Sequence, residues 1–195
     1  MKFPRLIGLY SEIPQQGKTC VANYLRDRYN YRIISFATPL KRMTAQFLDS
    51  MGYTPEEIDG YMTDNKSERL PGIGVDTRHL MRTLGTEWGR NCIHPGVWIM
   101  AWQTQVKQTL DAGFNVVTDD IRFQNEYHAL RGWHEKTEFW RVDRPGTNQI
   151  HEHASEGFAE NNPHVRFDFT INNDSDLMSL YEAISSKFEP VLVNQ

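Results

Sequence analysis

Cysteine is scarce in this chain: Cys20 and Cys92 are the only two among 195 residues. They lie far apart and belong to no CxxC or Cys/His spacing, which argues against a disulfide framework or a zinc site. Both are expected to be reduced, buried thiols. Long apolar runs are also missing, since nothing approaches the roughly 20 residues needed to span a bilayer. The short apolar stretch after Met1-Lys2-Phe3-Pro4-Arg5 meets Glu12 too soon to serve as a signal-peptide core. A cytoplasmic protein with no membrane partner is the expectation. Excess positive charge is absent as well: 21 Lys and Arg stand against 25 Asp and Glu, for a net charge of -4. Such a chain has no global attraction to a nucleic-acid backbone, so no nucleic-acid polymer is expected as partner. A small anionic substrate needs only a few placed arginines. Internal repeats and low-complexity tracts are lacking.

What is present fits a packed core. Hydrophobic residues make up 39% of the chain and aromatic residues 12%, and the length suits one α/β domain with an inserted segment. Arg5-Leu6-Ile7-Gly8-Leu9 reads as a short buried strand, followed by a loop to Gly17 and a helix through Val21, Leu25 and Arg28. A second strand, Arg32 to Phe36, precedes a helix from Thr38-Pro39 to about Met51, with Thr38 as N-cap and Pro39 in the first turn. This βαβα order predicts a parallel sheet. Thr54-Pro55-Glu56-Glu57 repeats the cap and proline signal. The polar stretch from Thr63 to Gly74 reads as a mobile loop. Helices are expected near Asp76 to Asn91 and Pro95 to Ala112. Strands follow at Phe114 to Thr118, Phe139 to Val142 and Phe167 to Ile171, and an amphipathic helix from Asp174 to Phe188.

Gly17-Lys18-Thr19 follows a strand and opens a helix, the context in which backbone N–H groups at a helix start face phosphate oxygens. In such a P-loop Lys18 reaches the β- and γ-phosphates of a nucleoside triphosphate and Thr19 ligates magnesium. The spacing is irregular. Glu12 occupies the position of the leading glycine, and Pro14-Gln15-Gln16 replaces the usual small residues. The alternative is a plain turn and helix start. Asp119-Asp120 ends an apolar strand, where open α/β sheets place their ligands, and a carboxylate there serves magnesium or the attacking oxygen. An acidic turn or cap is its alternative. Arg78 and Arg82, four residues apart, share a helical face suited to a phosphate monoester, and Trp88 either stacks on a base or packs in a core.

In order along the chain stand Leu6-Ile7-Gly8-Leu9, Phe36-Ala37-Thr38-Pro39-Leu40-Lys41, Asp64-Asn65-Lys66, Leu84-Gly85-Thr86-Glu87-Trp88-Gly89-Arg90, Thr118-Asp119-Asp120-Ile121-Arg122-Phe123-Gln124-Asn125-Glu126, Arg144-Pro145-Gly146 and His153-Ala154-Ser155-Glu156. With these the sequence resembles the deoxynucleoside monophosphate kinases of bacteriophages, within the P-loop nucleoside monophosphate kinase group. It departs from their pattern in the phosphate loop and at Gln124, where proline is more usual.

The resemblance implies a three-layer P-loop kinase fold: a parallel central sheet flanked by helices, a helical monophosphate-binding insertion and a lid. The core would cover about 1–37 and 113–195, the substrate-binding region about 38–112 and the lid about 144–164, all in a single domain. The implied reaction is transfer of the γ-phosphoryl of ATP, with Mg2+, to a deoxynucleoside 5′-monophosphate. Gly17, Lys18 and Thr19, with Arg141 and Arg144, would bind ATP. Thr19 and Asp120 would hold magnesium, and Lys18, Asp120 and Arg122 would act in transfer. Phe36, Lys41, Lys66, Arg78, Arg82, Trp88, Arg90, Asp119 and Asp120 would receive the acceptor. A protein of this kind encoded by a phage would work in the host cytoplasm.

Alternatives remain. A P-loop kinase of dephospho-coenzyme A or of a nucleoside shares the scaffold, and a nucleotide switch module would order a loop without transferring phosphate. Asn65-Lys66-Ser67-Glu68 ends in Glu and precedes the central strand, unlike a guanine-reading Asn-Lys-x-Asp run. His151 and His153 with Glu152 and Glu156 carry metal-ligand side chains, but their i,i+2 spacing lacks the helical i,i+4 pairing; a polar cap from Ser155 and Glu156 is the plainer reading. Trp98, Trp102 and Trp133 fit either a homodimer surface or buried packing.

Overall fold

Five parallel strands form one sheet in the computed structural model, which describes residues 3–133, 136–146, 158–160 and 162–188. The strands are β1 (Leu6–Tyr10), β2 (Tyr31–Ile33), β3 (Asn115–Thr118), β4 (Thr137–Asp143) and β5 (Phe169–Asn172), in spatial order β2-β3-β1-β4-β5. Among the helices, α1 is Lys18–Tyr29, α2 Thr38–Ser50, α3 Pro55–Met62 and α4 Thr77–Thr83. A π-helix covers Leu84–Ile93, followed by α5 (Val97–Asp111), α6 (Gln124–Arg131) and α7 (Leu177–Phe188). The chain divides into two units, residues 1–35 with 105–195 and residues 36–104.

The first unit has three layers. Every β1 residue is buried, as expected of a central parallel strand covered on both faces. Ile7 and Leu9 join Val21 and Leu25 of α1 and Leu180, Ile184 and Phe188 of α7 in one apolar cluster. Each such fully buried side chain contributes about 2 kcal/mol. On the other face α6 packs through Tyr127, whose ring lies 5.0 Å from that of Phe139. Arg5 ties the end of α5 to the sheet by donating to the carbonyl oxygens of Leu110 (2.6 Å) and Phe114 (3.2 Å).

The second unit is helical. Thr54 caps α3 with the reciprocal Glu57 bond, the capping box that its sequence announces. Asp76 caps α4 by accepting from the His79 N–H at 2.7 Å. The expected helix from Asp76 to Asn91 starts where predicted but changes form midway. Its second half is a π-helix, closed by a bond from His94 N–H to the Gly89 carbonyl at 2.9 Å. Glycine at 89 lets the Trp98 indole lie directly on the helix backbone, since a Cβ there would stand 2.4 Å from the ring. Its Nε1–H donates to the Gly85 carbonyl at 2.8 Å, giving that oxygen a partner outside the helical ladder.

Several expectations need correction. Helix α2 has Ala37, not Thr38, at its N-cap and no side-chain cap, so Thr38 lies inside the first turn beside Pro39. Helix α6 was not anticipated. Both cysteines are free, yet exposed rather than buried. Trp98 and Trp102 are buried, so they do not present a dimer surface. Among the described residues no helix is long and apolar enough to cross a membrane.

Candidate active site

In the first unit, β1 runs into the loop that precedes α1. The Ser11 hydroxyl donates to the Ile13 carbonyl at 2.7 Å, starting the turn. Gln15 and Gly17 adopt left-handed backbone, with φ of 63° and 105°, and between them Gln16 is buried. Its carbonyl accepts from Asn173 Nδ2 at 3.0 Å, and its side-chain oxygen accepts from the Arg144 N–H. The residues after β4 and β5 therefore hold the Pro14-Gln15-Gln16 segment in place of the missing glycines. The N-cap Gly17 offers no side chain to the first N–H groups of α1, which leaves the positive helix end open to an anion. Lys18 Nζ reaches back to the Ser11 hydroxyl, spanning the loop from its last turn to its first.

Glu12 faces Arg141, whose Nη2 donates to it at 3.3 Å. Arg141 also binds Asp143 through Nε (2.7 Å) and Glu160 through Nη1 (2.6 Å). Burial opposes its charge, but the hydrogen bond and charge of Asp143, with those of Glu160, more than offset this and hold its pKa above the ordinary arginine value. Three carboxylates thus surround an arginine expected at ATP. Together with Glu12 and Gln16, Arg141 and Arg144 line a cavity of about 270 Å³ beside the loop.

Strand β3 lies next to β1 with Gly8 in register with Thr118. Its carboxylates therefore leave the same end of the sheet as the loop. This is the switch point of the sheet, since the chain passes from β1 to β2 on one side and from β3 to β4 on the other. Asp119 accepts from the Ser35 hydroxyl at 2.5 Å, and both Asp119 and Asp120 are half-buried. The Arg122 side chain is exposed. Its backbone N–H donates to the carboxylate of buried Glu126 at 2.9 Å, as does Phe123 N–H at 3.2 Å. Glu126 thus shapes the turn that carries Asp120 and Arg122.

The second unit carries the other expected residues. Lys41 is exposed on α2, and Arg78 and Arg82 are exposed one turn apart on α4. Arg82 Nη2 lies 3.3 Å from His79 Nδ1. The Lys66 carbonyl accepts from the Thr77 hydroxyl at 3.2 Å, fixing that segment to the start of α4. Trp88 is 43% exposed, and Arg90 is half-buried. Phe36 is 3% exposed and stacked on Trp102 with ring centroids 4.6 Å apart, so its ring is engaged in packing. Gln16, Ser35 and Asn173 escaped the sequence reading, because their roles depend on contacts distant in the chain; Ser11 and Glu126 act through short-range bonds that no sequence motif announced. His151, Glu152, His153, Ser155 and Glu156, with most of the expected lid, lie outside the described residues. Among the described residues no cluster of three or more His, Cys, Asp or Glu side chains would cage a metal.

The β1–α1 loop and the carboxylate pair just after β3 thus share the end of a parallel sheet where open α/β folds place their ligands. The solved structure of TT1252 from Thermus thermophilus shares the fold, with a TM-score of 0.52 and 18% identity over 97% of this chain and 99% of its own. No family profile matches the sequence. The chain is similar to an Acanthamoeba polyphaga mimivirus protein provisionally named a deoxynucleotide monophosphate kinase, with 27% identity over 93% of this chain and 94% of that protein. A deoxynucleoside-5′-monophosphate kinase of Escherichia phage T5 is 30% identical over 70 residues, which are 36% of this chain and 27% of the phage protein. The resemblance drawn from the sequence motifs thus extends to curated proteins of that name.

Proposed function

We propose that the protein is a kinase that transfers the γ-phosphoryl group of ATP to deoxynucleoside 5′-monophosphates. The observation that carries this reading is the juxtaposition of Lys18, in the first turn of α1, with Asp119 and Asp120 just beyond the end of the strand that neighbours β1. The near full-length likeness to the mimivirus protein supports the choice of acceptor. In this reading Lys18 and the first N–H groups of α1 hold the triphosphate, and Asp120 or Asp119 orients the acceptor side. Arg78, Arg82, Lys41 and Arg90 bind the acceptor phosphate. Phosphoryl transfer asks little covalent chemistry of the protein, so alignment and charge compensation account for the rate.

Magnesium fits the donor set, because the Thr19 hydroxyl and the Asp119 and Asp120 carboxylates are hard oxygen ligands. When bound, magnesium neutralises phosphate charge. A site sharing the ion with substrate phosphates needs no protein cage.

A coupled assay of diphosphate production, with ATP, magnesium and each common deoxy- and ribonucleoside monophosphate in turn, tests the proposal. Turnover that depends on a deoxynucleotide is the expected result. Absence of acceptor-dependent turnover with all of them would reject it.

A further inference from the structure

Where a P-loop has its leading glycine, the β1–α1 loop carries the carboxylate of Glu12. The backbone there does not call for glycine, because among the described non-glycine residues of the loop Gln15 alone has a positive φ. The difficulty is electrostatic. Ser11, the neighbour of Glu12, donates to the Ile13 carbonyl at 2.7 Å and accepts from Lys18 Nζ. A carboxylate released beside that lysine would compete with phosphate for it and repel the phosphate oxygens. Glu12 is instead bonded to Arg141, whose Nη2 donates to it at 3.3 Å.

Arg141 is itself firmly anchored. It pairs in register with Tyr10, the last residue of β1. Its Nε donates to both oxygens of Asp143 at 2.7 Å, and Nη1 donates to Glu160 at 2.6 Å. The other Glu160 oxygen accepts from the Tyr10 hydroxyl, and the guanidinium lies 5.5 Å from the centre of the Phe167 ring. The Arg141 side chain is 22% exposed. To reach a phosphate it would have to abandon two short, charge-assisted bonds on the sheet. The bond to Glu12 is the longest of the set and the one that crosses to the loop. We propose that Arg141 is a positioning residue and not an ATP ligand: anchored by Asp143 and Glu160, it holds the Glu12 carboxylate away from Lys18 and the triphosphate. A loop with glutamate in its leading position thereby still accepts ATP. The inference rests on the proposed kinase reading, and it moves Arg141 out of the ATP-binding set that the sequence resemblance implies.

Binding of the non-hydrolysable triphosphate AMP-PNP with magnesium to the full chain, followed by calorimetry, provides the test. The parent is compared with Glu12→Gln, Arg141→Gln and the double variant. Arg141→Gln is expected to weaken AMP-PNP about 10-fold, because it frees a charged Glu12. Glu12→Gln should stay within about 3-fold of the parent, and the double variant within about 3-fold of Glu12→Gln. Asp143 and Glu160 lose their partner in both arginine variants, so a merely structural defect would persist in the double variant, whereas the effect of a freed Glu12 would vanish. An equal loss in both backgrounds overturns the inference, as does parental affinity in Arg141→Gln. If Arg141→Gln does not fold, Arg141→Lys replaces it with the same deciding outcomes: lysine keeps the charge between Asp143 and Glu160 but lacks the fork that also reaches Glu12. In the coupled kinase assay the loss should fall on the KM for ATP, with kcat within about 2-fold of the parent. That assay also separates the two claims. Acceptor-dependent turnover with an Arg141→Gln loss that Glu12→Gln does not relieve rejects the positioning role alone. AMP-PNP binding that follows the expected cycle, without turnover on any acceptor, keeps the role and rejects the kinase. No binding of AMP-PNP to the parent rejects both.

Discussion

Asn173, just after edge strand β5, holds the β1–α1 loop: its Nδ2 donates to the Gln16 carbonyl at 3.0 Å and lies 2.7 Å from where a Cβ on Gly17 would stand. Gly17 is therefore constrained twice, by its φ of 105° and by this contact.

Gly17→Ala should accordingly lower the unfolding free energy by about 1–3 kcal/mol, and it should raise the KM for ATP. The side chain of Asn173 has room to turn aside only by releasing Gln16. Urea unfolding and initial-rate kinetics check both effects, and a variant with parental stability and ATP KM would contradict the constraint.

Lys18→Ala removes a side chain that spans the loop from α1 to Ser11. Phosphoryl transfer is expected to fall by about 10²-fold or more, while the fold persists, because the half-buried lysine lies outside the apolar cluster. Near-normal turnover would overturn the loop assignment.

Gly89→Ala should destabilise the protein although alanine favours helices. A Cβ there would meet the Trp98 ring at 2.4 Å, and overpacking costs about 1–3 kcal/mol, against a propensity gain of about 1 kcal/mol. Thermal unfolding decides the sign, and a melting point above that of the parent would refute the packing argument.

Asp176 caps α7, accepting from the Ser179 N–H at 2.9 Å and the Ser179 hydroxyl at 3.0 Å. Chiefly the backbone bond, aided by the hydroxyl, holds its pKa below the ordinary aspartate value. A depressed folded-state pKa stabilises the protein above the unfolded value near about 4, and the contribution is lost as pH falls through the folded-state pKa. Asp176→Ala should therefore lower the melting temperature at neutral pH, and the gap to the parent should close in acid. A gap that persists unchanged at the lowest pH would exclude this linkage.

Much of the sheet was legible because buried parallel strands are short apolar runs: Leu6–Tyr10, Asn115–Thr118 and Thr137–Asp143 all lie where their sequences place strands. Helix α3 was announced by Thr54-Pro55 and Glu57, a signal local enough to read directly. Helix α6 was not, because its first turn is set by Glu126 reaching back to the Arg122 and Phe123 N–H groups, with no Ser, Thr, Asp or Asn at the cap. The π-helix was hidden for a related reason: it is braced by Trp98, which follows it in sequence, packs on Gly89 and donates to the Gly85 carbonyl. At the candidate site the Gly-Lys-Thr and Asp-Asp motifs stood out. The means by which an irregular loop keeps its course did not, since Asn173 and Gln16 meet 157 residues apart.

The strand order also governs the sequence of events in folding. Strand β3 sits between β1 and β2, yet Arg5 and its partner Phe114 are 109 residues apart. Neither β1 nor β2 has its neighbour until the entire helical unit has been synthesised. Loop-closure entropy grows only slowly with such length, by about 0.6 kcal/mol per doubling, so equilibrium stability suffers little. The delay falls on kinetics: the helical unit, built from local contacts, has time to form first on the ribosome, while the apolar β1 strand waits and is most open to aggregation until β3 emerges.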